Sequence, residues 1–260
     1  MILLVFEGKR REPELFTAIE QLGLFKPGSI ICSFCSDIQS LYKYKRVKEL
    51  EGGVKGTADM VQLLQRARKD DYDDPIHFVT SDNISEIYLF FDSDLHNSRY
   101  PLDKQRERLE ELLSLLGDEE EYGKLYISYP MIEAVRYTRE LPDAEFGDYC
   151  VSIPDCKSFK DRADKFSAYS SLDFLIPQEE GKKEDVRSNW SHLIRQHRSK
   201  AQHLCEVSGE ERLTQRKLFQ AQCDKHIIPR GEVAILASMP LFLYDYFETQ
   251  RKELGFSLAD

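Results

Sequence analysis

Over the first 140 residues, short apolar runs alternate with segments whose apolar residues recur at helical spacing. The runs cover residues 2–6, 29–34, 87–91 and 125–127. Continuous apolar runs of this length are typical of parallel strands that are buried on both faces. Between the runs, positions such as Leu15, Ile19 and Leu22 fall on one face of a helix. The alternation predicts an α/β fold with a central, mostly parallel sheet flanked by helices.

The remaining residues, 141–260, follow a different pattern. Residues 142–181 are mixed and polar and show no clear periodicity, whereas the chain from Lys182 onward is mostly helical in pattern. We therefore expect two parts. The first is a sheet-containing part over residues 1–140, and the second is an extension over residues 141–260 that is mixed at first and then mainly helical.

Composition supports a folded chain and narrows its class. The 260 residues are 41% hydrophobic and carry 36 Lys and Arg against 46 Asp and Glu, a net charge of −10. That apolar content supports a packed core and excludes a disordered tail. No apolar run approaches the ~20 residues of a membrane span. The first run ends at Glu7 and is too short for a signal-peptide core, so we expect a cytoplasmic protein without membrane association.

Six cysteines include one close pair. Cys32 and Cys35 have the C-x-x-C spacing that also occurs in zinc and redox sites. The pair lies on a predicted strand and its exit, and no second close pair follows it. The sequence favours buried, reduced thiols at these positions over a metal site.

Acidic residues directly follow two of the predicted strands. Glu7 and Gly8 come after the first run, and Asp92-Ser-Asp94 comes after the third. Ligands of an open α/β sheet bind beyond the carboxyl ends of its strands. Clustered carboxylates repel one another unless a cation lies between them, and Mg²⁺ prefers such oxygen ligands. Acids at strand ends also cap the helices that follow, but two such motifs in one short sheet favour a metal site.

These motifs resemble the Toprim domain, which is shared by topoisomerases, bacterial primases, recombination-repair proteins and the OLD-type nucleases. That family places one Glu after its first strand and a D-x-D after a later strand. Glu7 matches the first position, and Asp92 and Asp94 match the second. The resemblance covers residues 1–140 and implies a Toprim-like sheet with an insertion around residues 36–56.

Two further elements are similar to the OLD and RloB-like nuclease branch of this family. One is the wider form Glu7-Gly-x-x-x-Glu12, which a helix follows. The other is Ser128-x-Pro-x-x-Glu133, which corresponds to an Asn/Ser-x-Pro-x-x-Glu element in that branch. Residues 141–260 match no family that we can name.

The resemblance implies a nuclease that depends on Mg²⁺ or Mn²⁺. Glu7, Asp92 and Asp94 would be its catalytic residues and metal ligands, with Glu7 acting as a ligand or as a general base. Glu12 and Glu133 would serve a second ion. The alternative for these two is that they are acids at helix starts, where they complement the helix dipole.

Two other residues near the motifs have competing interpretations. His96, two residues past Asp94, is either a proton shuttle or phosphate donor, or an exposed loop histidine. Lys124 either steadies a phosphate oxygen or is a solvated lysine before a strand.

A basic stretch in the extension is a candidate nucleic-acid interface. Residues 182–230 hold 11 Lys and Arg against six Asp and Glu, so this stretch is +5 and the rest of the chain is −15. Arg195, Arg198 and Lys200 can follow a phosphate backbone, and Trp190 can stack on a base. A solvated basic face with Trp190 in the core explains the same pattern.

The chain lacks the common nucleotide-hydrolysis motifs, among them G-x-x-x-x-G-K-[ST] and G-x-G-x-x-G. Nucleases of the OLD type carry or borrow an ABC-type ATPase. The resemblance therefore implies the toxic effector of an anti-phage, abortive-infection system that is controlled by an ABC-type ATPase partner. The sequence leaves open whether the substrate is DNA or RNA, tRNA included, and whether the chain forms a homo-oligomer.

Two alternatives come from other functional classes. The chain could be a Toprim-like module that senses or binds a partner without cutting. It could also be another D-x-D enzyme of metal-dependent phosphotransfer. Phosphatases of the HAD type place D-x-D after the first strand, whereas here it follows a later one. A glycosyltransferase would leave Glu7 and Gly8 unexplained.

Overall fold

The computed structural model describes residues 1–25, 28–50, 52–97, 99–117, 123–208 and 213–254, with side chains up to residue 246. Its centre is a four-stranded parallel sheet in the order β2-β1-β3-β4. The strands are β1 (Ile2–Phe6), β2 (Ile30–Ser33), β3 (Glu86–Asp92) and β4 (Lys124–Ser128). This confirms the predicted α/β class and the parallel central sheet.

Helices connect these strands and make up most of the extension. The connecting helices are α1 (Arg11–Gln21), α2 (Ile38–Leu50), α3 (Thr57–Ala67) and α4 (Leu102–Leu116). The later helices are α5 (Phe159–Phe166), α6 (Lys183–Cys205), α7 (Gln215–Gln222), α8 (Ile228–Arg230) and α9 (Ser238–Leu254). The chain from Lys182 onward is therefore mainly helical, as predicted, and α2 occupies most of the segment where an insertion was expected.

The structure also resolves the segment that the sequence pattern left unplaced. Residues 142–181 contain 3-10 turns, α5 and one short strand. That strand, β5 (Cys150–Ser152), pairs antiparallel with β6 (Glu232–Ala234) to form a second sheet. Strands of three residues carry too few positions to show an alternating pattern, which explains why neither was predicted.

The order of the parallel strands fixes where the helices lie. From β1 the chain moves to β2 on one side, and it later returns to β3 on the other side of β1. The connections that contain α1 and α4 run in opposite directions across the sheet. Because strand-helix-strand connections are right-handed, these two helices cover opposite faces of the sheet. The strand order therefore reverses between β1 and β3, and the carboxyl ends of these strands flank the crevice where such sheets bind ligands.

An aromatic core joins the extension to the sheet. Phe242 of α9 packs edge-on against Phe90 of β3 and Tyr126 of β4, with ring centroids 5.2 and 5.4 Å apart, and it also contacts Phe16 of α1 at 6.0 Å. All four side chains are buried. The two predicted parts of the chain therefore share one hydrophobic core. Within the described residues, none of the helices combines the length and apolar character that crossing a bilayer requires.

Candidate metal site

Glu7 and Asp92 meet at the point where the strand order reverses. β1 and β3 are neighbours with Phe6 opposite Phe90, and the Glu7 N–H donates to the Phe90 carbonyl at 3.0 Å. Across the crevice, the Asp92 N–H donates to Glu7 Oε2 at 3.0 Å. Two acids that are far apart in the sequence are therefore held together by the backbone of adjacent strands.

Gly8 allows Glu12 to approach the same crevice. The Gly8 N–H donates to Glu12 Oε2 at 3.1 Å, and Glu12 is buried, with 7% of its surface exposed. A Cβ atom at Gly8 would lie 2.3 Å from this oxygen, so a larger residue would displace the carboxylate. The E-G-x-x-x-E spacing thus has a local cause: the first turn of α1 brings the second Glu back over the glycine.

Asp94 is held by a loop that is bonded to the Ser-x-Pro-x-x-Glu element. Ser93 is buried; its N–H donates to the Ser128 carbonyl at 3.0 Å and its hydroxyl donates to the Pro130 carbonyl at 3.2 Å. Asp94 has a left-handed backbone with φ of 51°, which aspartate tolerates better than most residues. The same element continues into a 3-10 turn, Ile132–Arg136, that carries Glu133.

Electrostatics show that the five acids share one environment. Burial, the charge of Asp94 and the neighbouring acids raise the pKa of Glu7 to about 8, against the effect of its hydrogen bond from Asp92. Burial and the charge of Glu133 raise the pKa of Glu12 to about 7. Burial and the charges of the other four acids raise the pKa of Asp92 well above its usual range. We call Glu7, Glu12, Asp92, Asp94 and Glu133 the acid cluster.

Compensating positive charge is scarce around the acid cluster. Among the described residues, none of its members forms an ion pair with a lysine or arginine within 4.0 Å. Burial and the charge of Asp37 raise the pKa of Asp94 to about 6, although Arg99 lowers it. Arg99 is exposed and lies 3.9 Å from Asp37. A bound cation would relieve this repulsion.

The donor set fits Mg²⁺ or Mn²⁺ because every candidate ligand is a carboxylate oxygen. Among the described residues, no three members of the acid cluster have ligand oxygens that all lie within 4.8 Å of one another. Mg²⁺ is commonly bound through one or two carboxylates, with water and substrate phosphate completing its shell. The arrangement therefore suits an ion held by few direct ligands, and closer ligation requires side-chain rotation.

His96 lies just after the D-x-D loop and is half-buried. It is therefore not the exposed loop histidine that one of the two interpretations predicted. Its Nδ1 atom is buried and has no hydrogen-bond partner in the structure. Burial, and secondly the charge of Lys157, lowers the pKa of His96. A neutral imidazole with an unused nitrogen can accept a proton, so the proton-shuttle interpretation stays a prediction.

Lys124 does not lie at the site. It begins β4, whereas the acids follow the carboxyl ends of β1 and β3, and its Nζ pairs with Asp245 at 2.9 Å. Five residues of strand separate the two ends of β4, about 13 Å of rise at 3.3 Å per residue. Neither sequence interpretation was right, because this lysine is paired rather than solvated and is remote from the crevice.

Two of the predicted nucleic-acid contacts are corrected by the structure. Trp190 is 1% exposed and donates from Nε1 to the Leu175 carbonyl at 3.2 Å, so its ring has no free face for a base. Lys200 is 5% exposed and its Nζ donates to the Phe146 carbonyl at 3.1 Å. Both belong to the buried face of α6, which helical spacing alone could not distinguish from its outer face.

The other two predicted contacts lie nearer the surface. Arg195 is exposed. Arg198 is half-buried, and its guanidinium lies over the ring of Tyr244, 4.1 Å from the centroid. Their role in binding nucleic acid stays a prediction.

Sequence inspection missed three basic residues that adjoin the acid cluster in the chain. Lys9, Arg10 and Arg11 are exposed, follow Gly8 directly and line a cleft of about 520 Å³ along α1. Lys9 pairs with Asp71 at 3.4 Å and Arg11 pairs with Glu14 at 3.2 Å. The run Lys-Arg-Arg inside E-G-x-x-x-E is visible in the sequence and would have indicated a phosphate contact close to the acids.

Among the described residues, the C-x-x-C pair joins no third side chain in a group of potential metal ligands. Cys32 is buried on β2, with 3% of its surface exposed, and burial raises its thiol pKa to about 12. Cys35 follows in a left-handed conformation, and its Sγ donates to the Ser33 carbonyl at 3.4 Å. The described cysteines are all free thiols, as the sequence favoured.

Comparison of the chain with protein-family models, with curated proteins and with solved structures found no match. The resemblance to Toprim nucleases therefore rests on the motifs and on their placement in the sheet.

Proposed function

We propose that this protein is a metal-dependent nuclease that hydrolyses phosphodiester bonds in DNA or RNA. The observation that carries the proposal is the convergence of carboxylates from β1 and β3 at the reversal of strand order, where no lysine or arginine of the described part of the chain pairs with them. The four-stranded parallel sheet, Glu after its first strand and D-x-D after the adjacent strand agree with a Toprim-like fold. The D-x-D after β3 agrees poorly with a HAD phosphatase, which carries it after the first strand.

The acid cluster would hold the cation through Glu7, Asp92 and Asp94, with Glu12 and Glu133 beside them. Mg²⁺ or Mn²⁺ supplies Lewis-acid stabilisation of the phosphate and lowers the pKa of bound water. The chain orients these carboxylates through rigid strand ends and through the backbone N–H groups of Asp92 and Gly8. Glu7 would act either as a ligand of this ion or as the general base for the attacking water.

Nucleic acid would approach along the basic rim of the crevice. Lys9, Arg10 and Arg99 are exposed and lie on loops or helix starts that adjoin the acids in the chain. Lys157 is close enough to His96 to lower its pKa. These side chains can neutralise phosphates without touching bases, which favours binding that depends on salt more than on sequence. This rim takes the place of Trp190 and Lys200 in the predicted interface.

Control by an ATPase partner is also part of the proposal. The chain has no nucleotide-hydrolysis motif of its own, and an unrestrained nuclease would damage the host. Among the described residues, no three members of the acid cluster have ligand oxygens that all lie within 4.8 Å of one another, which supports a resting state that needs adjustment before it cuts. An ABC-type ATPase is the partner that the resemblance implies, and an anti-phage effector is the corresponding role.

A binding module without activity is the second candidate, and the same oxygen spacing favours it. The two are separated by incubating the purified chain with Mg²⁺ or Mn²⁺ and a panel of plasmid, linear DNA and tRNA. Cleavage that is lost in Glu7→Gln and Asp92→Asn and kept in Asp185→Asn supports the nuclease. Asp185 is an exposed acid on α6, so it is a matched charge control.

The outcome against the nuclease is equally concrete. Unchanged cleavage in Asp92→Asn would assign the activity to a contaminant or to another site. No cleavage under any condition, also with the partner present, together with retained nucleic-acid binding, would establish the binding module.

A further inference from the structure

A second group of metal-ligating side chains lies in the extension and shares no residue with the acid cluster. Cys150, His226 and Glu232 each offer one ligand atom, and these atoms all lie within 4.8 Å of one another. We call these three residues the mixed cluster. All three side chains are half-buried, so they are shielded from bulk water yet within reach of a small ion.

The local fold explains why the three side chains meet. In the β5–β6 pair, Cys150 lies opposite Ala234 and Ser152 opposite Glu232. Directly opposed residues share a face, and so do residues two apart on one strand, so Cys150 and Glu232 lie on the same face of the sheet.

His226 comes from a π-helical turn, Cys223–Ile227, just before β6. Gly231, with φ of 64°, then reverses the chain into that strand, which returns Glu232 to the imidazole. The π-helical turn is a second, independent indication of a site, because π-bulges are uncommon and occur frequently at functional positions.

The distances match the edges of a metal tetrahedron. Cys150 Sγ lies 3.6 Å from His226 Nδ1, and His226 Nδ1 lies 3.2 Å from Glu232 Oε1. Zinc bonds of about 2.3 Å to sulfur and about 2.0–2.2 Å to nitrogen and oxygen place tetrahedral ligands roughly 3.3–3.6 Å apart. Two of the three distances therefore already have nearly the spacing that one ion would impose, and the third, between the ligand atoms of Cys150 and Glu232, is within 4.8 Å.

A catalytic relay does not explain the same atoms. In a nucleophile–His–acid relay, the imidazole uses one ring nitrogen for the nucleophile and the other for the acid. Here Nδ1 faces both Cys150 and Glu232. Three ligand atoms around one point indicate coordination rather than proton relay.

We propose that Cys150, His226 and Glu232 bind Zn²⁺, with the fourth coordination position left to water or another small ligand. The sulfur, nitrogen and oxygen donors suit zinc and exclude Mg²⁺ as the preferred ion. Arg230 lies 3.5 Å from Glu232 Oε1 and can move to the other carboxylate oxygen when the ion binds. The ion would cross-link β5 to the turn before β6, closing a loop of residues 150–226.

The test uses the full chain, stripped of metal and titrated with Zn²⁺ or Co²⁺ in excess Mg²⁺, which occupies oxygen-only sites. We expect one tightly bound Zn²⁺ per chain and a thiolate-to-Co²⁺ charge-transfer band. Loss of a residue that only hydrogen-bonds to a metal ligand lowers metal affinity about 10–100-fold. Loss of a direct ligand in Cys150→Ser, His226→Gln or Glu232→Gln should therefore lower Zn²⁺ affinity by at least that factor. Cys205→Ser, a half-buried thiol elsewhere, should change neither readout.

Two results would overturn the site. One is a wild-type chain without the charge-transfer band. The other is Zn²⁺ affinity that is the same in the three variants as in the wild type. Because a variant can fail for lack of folding, the wild type supplies an independent measurement: Zn²⁺ should protect Cys150, but not Cys205, from alkylation as located by peptide mass spectrometry. Equal labelling of Cys150 with and without Zn²⁺ would also reject the proposal.

Discussion

The acid cluster and the mixed cluster are two different solutions to holding charge in a protein. The acid cluster gathers only carboxylates, and burial together with the charges of neighbouring acids raises the pKa of Glu7 and of Asp92. The mixed cluster gathers a thiol, an imidazole and one carboxylate, with Arg230 and Lys200 close by. The first is electrostatically unfavourable until a hard cation or protons arrive, whereas the second is nearly neutral and gains mainly from coordination geometry. On the two proposals together, one chain would hold two divalent ions of different chemistry without competition.

The largest expected effect separates the two clusters by function. Asp92→Asn and Asp94→Asn should each lower cleavage by about a hundredfold or more, since metal stabilisation is worth several kcal/mol and each 1.4 kcal/mol is a factor of ten. Both variants should keep their Zn²⁺. Cys150→Ser should lose Zn²⁺ and keep Mg²⁺-dependent cleavage. Activity and metal content measured on the same preparations check this, and joint loss of both in either variant would contradict the independence of the clusters.

The next effect concerns stability. A ligand that binds only the folded state adds about 2.7 kcal/mol to the free energy of unfolding at a free concentration of 100 times its Kd. Zn²⁺ at that excess should therefore raise the denaturant midpoint of the wild type but not of His226→Gln. Urea unfolding followed by circular dichroism measures the difference. An equal shift in both proteins would mean that Zn²⁺ stabilises the chain through other residues.

The acid cluster should make metal-free stability depend on pH. Its carboxylates have pKa values of about 6, 7 and 8 at Asp94, Glu12 and Glu7, against about 4 in an unfolded chain. A carboxyl group whose pKa is raised by folding stabilises the folded state fully at pH values below its unfolded-state pKa. This stabilisation is lost as the pH rises through its folded-state pKa. The stabilisation by Mg²⁺ should therefore grow from pH 6 to about pH 8.

The comparison with and without Mg²⁺ at each pH isolates this effect from the histidines. His96, His197 and His226 have lowered pKa values, so they favour the folded state as pH rises toward about 6.5. The histidine contributions are the same with and without Mg²⁺, so they cancel in the difference between the two sets of measurements. Glu7→Gln should flatten the increase with pH. A gain from Mg²⁺ that is constant over this range would show that the cation does not displace protons from the acid cluster.

A smaller effect is expected where Glu12 approaches the backbone. Gly8→Ala should push the carboxylate away, because the new Cβ would lie 2.3 Å from Oε2. The carboxylate is the end of a flexible side chain, so the free energy of unfolding should change by no more than about 1 kcal/mol, while Mn²⁺ affinity falls. Gly147→Ala, which meets open space, is the control. Unchanged Mn²⁺ affinity in Gly8→Ala would remove Glu12 from the site.

The smallest effect tests which surface binds nucleic acid. Each phosphate contact contributes about 0.9 to the slope of log affinity against log salt for duplex DNA. Arg10→Ala should lower the slope by about one, with a similar loss of affinity for every sequence. Replacing Arg195 and Arg198 by Glu tests the predicted interface on α6 in the same titration. A slope that changes only in the α6 variant would move the interface from the rim to that helix.

The acid cluster was accessible from the sequence because its geometry is local to strand ends. Apolar runs locate β1 and β3, and the residue after each strand must lie at one edge of a parallel sheet. The mixed cluster was not accessible, since Cys150 and Glu232 lie on three-residue strands and His226 on a π-helical turn that has no simple periodicity. The sequence also did not determine which side of α6 faces the core. The face that carries Trp190 and Lys200 could be buried or exposed to solvent, and only the neighbouring elements decide between the two.

The position of Phe242 in the chain has a consequence for the order in which the molecule is made. Phe90 and Tyr126 are synthesised long before the side chain that packs against them. Chains emerge from the ribosome at about 5–20 residues per second, so some 115 residues after Tyr126 leave this apolar face open for several seconds. During that interval the strands that carry Glu7 and Asp92 lack their cover. We therefore expect the sheet that carries Glu7 and Asp92 to finish packing only once α9 is available to cover Phe90 and Tyr126.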